Sequence, residues 1–331
     1  MQREETTAIP ATACSKDGKR IKVGLSKFLR INYREIDPKV RGFSERHPQS
    51  VERVKSIGSA FLDGYHCALA TRQTDELCEQ LNLVDNELRG FAYEGAGMGV
   101  AILDFLSPWQ RKRFPDFLAS ADGDRHLYML YVGLGWACTR LPGSPERVAQ
   151  GSDSIMAWLA LDGCGFHEGF FHHRKYLGSA RRPKRLSEYG KRVFDQGLGR
   201  SLWFVCGGDA QEIADSIGDL APTRHADLWG GVGLGTAYAG GRDRGNVERL
   251  AELGEEFMGE LAQGASFGAK ARLRGGNLGG HTEMACEVLC KSSAAEAAAV
   301  TDEVLAAIDQ THGGESYEAW RQGIIHHYTN R

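Results

Sequence analysis

The segment GFHEGFFHHRKY, from Gly165 to Tyr176, holds the densest group of side chains that could do chemistry. If it forms a helix, Glu168 and His172 are four residues apart and share one face. Such a pair can exchange a proton or bind one metal ion. His167, Glu168 and His172 are therefore candidate catalytic residues and candidate metal ligands, and a further segment would complete a transition-metal site. The alternative is structural, with His167 buried beside a solvent-facing histidine pair.

Other polar side chains lie inside apolar segments, where an unpaired polar group is costly. Burying one without a partner costs on the order of 1–3 kcal/mol, so we expect these groups to meet one another. They would form a polar pocket for the substrate, with Glu94 as a further catalytic candidate. Separate structural pairs are the alternative. The predicted substrate-binding residues are His66, Glu94, His126, Arg200, His281 and Glu283.

The eight cysteines are spread through the chain without CxxC spacing, so neither a disulfide framework nor a zinc ribbon is indicated. Cys286 and Cys290 follow His281 and could share a metal ion with it. Their four-residue spacing is also typical of a helix that faces the core, and we favour that interpretation. The chain contains no phosphate-loop, nucleophile-elbow or zincin motif, and no motif identifies a cofactor.

The charge balance disfavours two classes of partner. Forty Lys and Arg against 43 Asp and Glu give a net charge of -3, which provides no broad positive field for nucleic acid or an anionic membrane. The apolar stretch Leu127–Thr139 is shorter than the roughly 20 residues that span a bilayer. Residues 1–22 lack the apolar stretch of a secretory signal and are expected to form a flexible tail. We expect a cytoplasmic protein.

Apolar residues recur at three- and four-residue spacing over much of the chain, which is the period of an amphipathic helix. We therefore predict a mostly α protein. One segment competes with this prediction, because Leu202–Cys206 is short and β-prone and is followed by two glycines. A strand is the alternative there. The predicted helical segments are Ser50–Leu69, Thr74–Leu83, Gly95–Leu106, Val247–Leu261, Thr282–Cys290 and Ala294–Ile308.

Internal repetition gives the more specific fold prediction. Val132–Ala137 matches Val232–Ala237 at all but one position, and Leu62-Asp63-Gly64 recurs as Leu161-Asp162-Gly163 at nearly the same offset. We predict a tandem array or ring of helix pairs within one helical domain, residues 23–331. Its duplicated halves would span about residues 50–145 and 150–245, followed by a C-terminal helical segment, residues 246–331.

The glycines within these helices indicate how the helices pack. Each interior glycine destabilises a helix by about 1 kcal/mol relative to alanine, so some interaction must offset the loss. Close approach of neighbouring backbones is the simplest compensation for glycines such as Gly97 and Gly233. Exposure of backbone to a ligand is the functional alternative.

Seven strings, in order along the chain, resemble the UnbL-like proteins, a family of unknown reaction encoded beside the iterative polyketide synthase in enediyne clusters of actinomycetes. The resemblance covers roughly residues 24–328. The strings are RGFAYEGAGMG from Arg89, YVGLGWACTRLP from Tyr131, ALDGCGFHEGFFH from Ala160, QGLGRSLWFVCG from Gln196, GVGLGTAYAGG from Gly231, QGASFGAKAR from Gln263 and HTEMACEVLC from His281.

This resemblance implies a part in enediyne antibiotic biosynthesis, where a linear polyene becomes the enediyne core. The expected ligand is a hydrophobic polyene, which the protein would act on or hold. The expected partners are the other cassette proteins, one of them embedded in a membrane, and a homo-oligomer is also compatible with the sequence. Two alternatives stay open: a metal- or cofactor-dependent oxidoreductase of the polyene, and a non-catalytic scaffold.

Overall fold

The chain is described by a computed structural model over residues 28–107, 112–151, 154–177 and 181–330. These residues form α-helices joined by short loops and single 3₁₀ turns, and no strand occurs among them. The prediction of a mostly α protein is confirmed. The predicted flexible tail, residues 1–22, lies outside the described residues.

Several of the helices begin where the sequence supplies a start signal. Proline occupies the first position of the longest helix, and Ser187, Asp243 and Ser293 each accept a backbone N–H from the first turn that follows them. In chain order the α-helices are α1 (Pro38–Arg41), α2 (Pro48–Ala70), α3 (Thr74–Asn82), α4 (Arg89–Leu106), α5 (Arg113–Ala119), α6 (Ala121–Arg125), α7 (Leu127–Arg140), α8 (Pro145–Gln150), α9 (Leu159–Tyr176), α10 (Glu188–Val205), α11 (Ala210–Gly218), α12 (His225–Ala239), α13 (Arg244–Leu253), α14 (Met258–Arg274), α15 (Gly280–Leu289), α16 (Ala294–Ala307) and α17 (Gly314–Thr329).

The strand alternative for Leu202–Cys206 is wrong, because this segment forms the last turn of α10 and its C-cap. Phe194, Leu198 and Leu202 are spaced four residues apart and are all buried. The apolar stripe of the helix therefore continues into the segment, and this periodicity outweighs the local β preference of its residues.

The predicted helix Val247–Leu261 is two helices. The chain leaves α13 at Gly254 and passes through the 3₁₀ turn Glu255–Phe257 before α14 begins. Glycine is a common helix-ending residue, and the turn redirects the chain so that α14 packs elsewhere. The described part of the predicted C-terminal segment, residues 246–330, is mainly helical, and α15, α16 and α17 pack against α14.

Seven long helices (α2, α4, α7, α9, α10, α12 and α14) form a row in which each packs on the next. Neighbours run antiparallel, since Gly97 of α4 lies on Leu130 of α7 while Gly133, further along α7, lies on Glu94, earlier in α4. A Cβ atom at Gly97 would lie 2.9 Å from the Leu130 carbonyl oxygen, and one at Gly133 would overlap the Glu94 carbonyl oxygen. The two backbones are therefore in direct contact.

Five consecutive helices of the row repeat this arrangement. Each carries a Gly-x-Gly triplet whose first glycine lies on the preceding helix and whose second lies on the following one. This close backbone contact is the compensation that we expect for glycine inside a helix. Duplication of the two halves stays a prediction. The triplets are Gly95 with Gly97, Gly133 with Gly135, Gly163 with Gly165, Gly197 with Gly199, and Gly231 with Gly233.

The row curls so that its last helices meet its first. Arg272 of α14 donates from Nη1 to the carbonyl oxygen of Glu87 at 2.6 Å, and its guanidinium lies 5.6 Å from the ring of Phe91 in α4. Arg53 of α2 donates from Nε to the carbonyl oxygen of Ala239 at 2.8 Å, at the end of α12. The buried apolar side chains form one continuous cluster within this curled layer.

No described helix is long and apolar enough to cross a membrane. No disulfide joins two of the described cysteines. Cys286 and Cys290 are buried on α15, and Cys290 donates to the Ala262 carbonyl oxygen of α14 at 3.5 Å. The interpretation of this pair as core residues is confirmed.

Candidate functional site

The helix α9 brings together the three candidate metal ligands. Nδ1 of His167 lies 3.2 Å from Oε1 of Glu168, and Nδ1 of His172 lies 3.2 Å from Oε2 of the same carboxylate. One ligand atom from each residue falls within 4.8 Å of the others. Among the described residues this is the one group of three or more such side chains close enough to hold a metal ion.

The helix is kinked at the third of these residues. His172 has φ -133° and ψ 33°, which are not helical values, and the helix resumes after it through Tyr176. Earlier in α9, Gly169 lies so close to Ser201 that a Cβ atom would overlap the hydroxyl oxygen. The first part of α9 is therefore fixed against α10, and the kink separates it from the turn that follows His172.

Exposure of the three side chains rises in steps from the interior to the surface. The exposed fraction of the side chain is 6% for His167, 15% for Glu168 and 52% for His172. Nε2 of His167 is buried and has no hydrogen-bond partner in the part of the chain that the structure describes. The group thus has a closed inner end and an open outer end, which is the arrangement of a ligand set that a small molecule can approach.

The protonation states of the inner two residues suit metal binding. Burial lowers the pKa of His167, although the adjacent Glu168 acts in the opposite direction. Burial acts to raise the pKa of Glu168, but the hydrogen bond and charge of His167, together with His172, outweigh it and lower that pKa. A neutral imidazole and an ionised carboxylate are the forms that bind metals.

The outer end of the group opens into a cleft of about 470 Å³. The wall opposite α9 comes from the segment that precedes α2, and the C-terminal end of α7 supplies a third side. In that wall Nη2 of Arg41 lies 3.3 Å from Oε2 of Glu35. The cleft is lined by Arg30, Ile31, Asn32, Glu35, Arg41, Arg140, His167, Phe171 and His172.

An aromatic cluster packs behind the inner end. The ring of Trp136 meets that of His167 edge to face, with centroids 5.2 Å apart, and it also contacts Phe166, Phe170 and Phe171. Trp136 itself is buried. These rings keep solvent from the inner side of His167 and restrict the orientation of its imidazole.

Glu94 and Arg200 belong to a separate, fully buried group. Nη2 of Arg200 lies 2.6 Å from Oδ1 of Asp162, whose other oxygen accepts from Gln196 at 3.1 Å. Burial raises the pKa of Glu94 to about 7, with the charge of Arg200 opposing the rise. The cavity that Arg200 lines measures about 20 Å³, which is room for about one water molecule. These residues form an internal polar network with no space for a substrate.

The other predicted binding residues make separate local contacts. His66 accepts from the backbone N–H of Ile31 at 3.3 Å and so supports the cleft wall from behind. The ring of His126 stacks on Tyr93 with centroids 4.1 Å apart. His281 and Glu283 lie elsewhere: Nδ1 of His281 is 3.5 Å from Oε1 of Glu87, and Glu283 accepts from the N–H of Ala294 at the start of α16.

A larger cleft, of about 1180 Å³, lies beside Trp158 and Tyr189. Two of the three carboxylates among its described lining residues, those of Glu146 and Glu318, are already engaged. Glu146 accepts from the N–H of Ser187 at 2.9 Å, and Glu318 pairs with Arg192 at 2.7 Å and with Arg321 at 3.3 Å. The cleft beside the kinked helix therefore offers the better site for chemistry.

The sequence indicated the ligand set but missed the cleft around it. Arg30, Arg41 and Arg140 and the supporting ring of Trp136 carry no local pattern that links them to α9. Arg140 ends the apolar helix α7, which is its one visible signal in the sequence. Only the folding of the segment before α2 over α9 brings the first two arginines to the same place.

Comparison with known proteins identifies the family. No curated protein and no solved structure matches the chain. The model of the family described as "Protein of unknown function (DUF1702)" matches residues 23–328, nearly the same span as the resemblance noted in the sequence. The chain therefore belongs to the DUF1702 family.

Proposed function

We propose that this protein acts on, or holds for its partners, the polyene from which an enediyne core is made, and that a metal ion bound by His167, Glu168 and His172 serves that step. The observation that carries the proposal is the convergence of three ligand atoms within 4.8 Å at an open cleft. The enediyne assignment is supported by the seven strings that resemble the UnbL-like proteins, all of which lie within the family match.

The donor set fits a redox metal. Two imidazoles and one carboxylate are the ligands of non-haem Fe(II) oxygenases, in which the metal keeps open positions. Converting an alkene to an alkyne removes two electrons and two protons. A redox-active metal held here would catalyse that step only with an external oxidant, such as the dioxygen that non-haem Fe(II) oxygenases use, as their acceptor. The half-exposed side chain of His172 leaves the outer face of the set accessible from the cleft.

The surrounding residues would orient the site. The carboxylate of Glu168 contacts both imidazoles, so it fixes their relative position before a metal arrives. The kink at His172 sets the outer imidazole, and the ring of Trp136 holds the inner one. Such supporting contacts commonly change metal affinity 10–100-fold when removed.

Enediyne production in a deletion strain complemented with variants tests the proposal. With protein levels monitored, Glu168→Ala should abolish production, because it removes the carboxylate that joins the set. His173→Ala is the matched control, since His173 is the adjacent histidine and lies outside the group.

We expect the protein to act in the cytoplasm, alongside the membrane-embedded cassette protein.

Normal production from Glu168→Ala would remove the enzymatic proposal. Co-purification of the other cassette proteins with that variant would then support the scaffold alternative. Loss of production from both variants, with the protein present, would show that the segment matters without assigning the role to Glu168, and would count against the ligand set.

A further inference from the structure

The cleft beside the candidate metal ligands is lined by arginines from three places in the chain. Arg30 precedes the first 3₁₀ turn, Arg41 ends α1 and Arg140 ends α7. Among the described residues that line the cleft, Glu35 supplies the one carboxylate. Positive charge therefore exceeds negative charge along the wall that faces the metal ligands.

These arginines are incompletely paired. Within the described part of the chain, neither Arg30 nor Arg140 forms an ion pair with a carboxylate. Arg41 reaches Glu35 through Nη2 at 3.3 Å, but its buried Nε finds no hydrogen-bond partner among the described residues. Its guanidinium also lies 5.4 Å from the ring of Phe171, which holds it at the cleft. Among the described residues, the cleft thus presents two guanidinium groups without an ion-pair partner, those of Arg30 and Arg140, beside the guanidinium of Arg41, which contacts Glu35.

From this charge and donor pattern we infer that the cleft binds the carboxylate of an organic acid, with Arg41 and Arg140 as its partners. The planar fork of a guanidinium matches a carboxylate with two hydrogen bonds. His167 and His172 line the same cleft, so the bound oxygen atoms would lie beside the metal. The inference rests on the proposed function in placing this anion next to a metal.

Two sources could supply such a group. One is a small free acid, such as a 2-oxo acid that accompanies the metal as a co-substrate. The other is the terminal carboxylate of a polyunsaturated acyl chain, with the chain extending out of the cleft past Phe171. Both present the same group to the arginines, and suitable probes distinguish them.

The test uses the full chain, with and without Zn²⁺, and parinaric acid, a conjugated tetraene acid whose fluorescence rises in an apolar site. Its methyl ester has the same chain without the charge. 2-Oxoglutarate is added as a competitor. We expect at least one of the two acids, parinaric acid or 2-oxoglutarate, to bind. Arg140→Ala and Arg41→Ala should each weaken that binding about 10-fold or more, because each removes a charged donor. Arg249→Ala, which removes an exposed arginine paired with Glu252, is the control.

The outcomes separate the sources. Binding of parinaric acid alone, with the ester much weaker, supports the chain terminus, whereas displacement by 2-oxoglutarate supports a small acid. Four results would overturn the inference. Parinaric acid and its ester bind equally well, or neither acid binds. Inorganic phosphate displaces the bound acid as well as 2-oxoglutarate does, or neither arginine variant changes the binding.

A zinc titration of the same samples tests the proposed metal site separately from the proposed carboxylate binding. Zinc binding at the triad without any acid binding would overturn only the carboxylate inference. Arginine-dependent acid binding in a protein that takes up no zinc would leave that inference standing and remove the proposed metal function.

Discussion

The indole ring of Trp136 meets the imidazole of His167 edge to face, with the ring centroids 5.2 Å apart. The preceding residue, Gly135, lies on the carbonyl oxygen of Ala160, so a Cβ atom there would overlap α9. The glycine brings α7 and α9 into backbone contact, and at that spacing the tryptophan reaches the buried histidine. The packing of the row and the geometry of the candidate site are therefore linked.

Replacing the tryptophan should loosen the site without removing a ligand. Trp136→Leu keeps an apolar side chain but leaves the His167 ring without its edge contact, and we expect metal affinity to fall about 10-fold. Equilibrium titration with Zn²⁺ measures this, with circular dichroism as the check on folding. Unchanged affinity in a folded variant would show that Trp136 does not orient the ligand.

The glycine contacts predict a sharp contrast between two alanine substitutions. Gly233→Ala would drive a Cβ atom into the Leu261 carbonyl oxygen, whereas a Cβ atom at Gly218 would have no described atom within 4 Å. We expect Gly233→Ala to lower the free energy of unfolding by about 3 kcal/mol or to abolish soluble expression. Gly218→Ala should be neutral or slightly stabilising.

Chemical denaturation of both proteins measures the contrast. Gly97→Leu and Gly233→Leu are the more severe versions and should not yield soluble protein. Melting of the leucine variants at the wild-type temperature would contradict the backbone packing of the row.

Glu94 predicts a pH dependence of stability. Burial raises its pKa from 4.5 to about 7, so the folded protein holds this proton more tightly than the unfolded chain. The resulting stabilisation is complete below pH 4.5 and is lost as the pH rises towards 7. Glu94→Gln should remove the dependence, gaining up to about 3 kcal/mol relative to the wild type across that range. The free energy of unfolding of both proteins is measured between pH 4 and 8. The same change with pH in the wild type and in Glu94→Gln would contradict the assignment to Glu94.

The buried pair of Arg200 and Asp162 should matter for folding and leave metal binding intact. Asp162→Ala leaves the guanidinium without its partner at 2.6 Å, and we expect a loss of about 3–5 kcal/mol. The fraction that stays folded should bind metal with wild-type affinity. Loss of metal binding in folded Asp162→Ala would contradict the separation of the buried network from the metal ligands.

The sequence predicted those features that depend on local spacing. The helices followed from apolar periodicity, and the candidate ligands followed from the four-residue spacing of Glu168 and His172. The glycine contacts followed from the energetic disadvantage of glycine within a helix. Each of these arguments needs residues on one helix or on two similar ones.

Features that depend on contacts between distant segments could not be predicted in this way. Residues such as His126 and Glu283 share the property of being polar in apolar surroundings, and this property does not tell which partner satisfies each of them. In the structure His126 stacks on Tyr93, and Glu283 accepts a hydrogen bond at the start of α16. The arginine wall of the cleft depends likewise on how the segment before α2 crosses α9.

The most direct test of the central claim is the metal stoichiometry of purified protein under equilibrium dialysis. We predict about one transition-metal ion per chain for the wild type and for His173→Ala. Glu168→Ala and His172→Ala should each lose affinity by at least about 100-fold, because each removes a ligand from a set of three. Equal metal uptake by the wild type, Glu168→Ala and His172→Ala, or no specific uptake by the wild type, would contradict the claim that His167, Glu168 and His172 hold a metal ion.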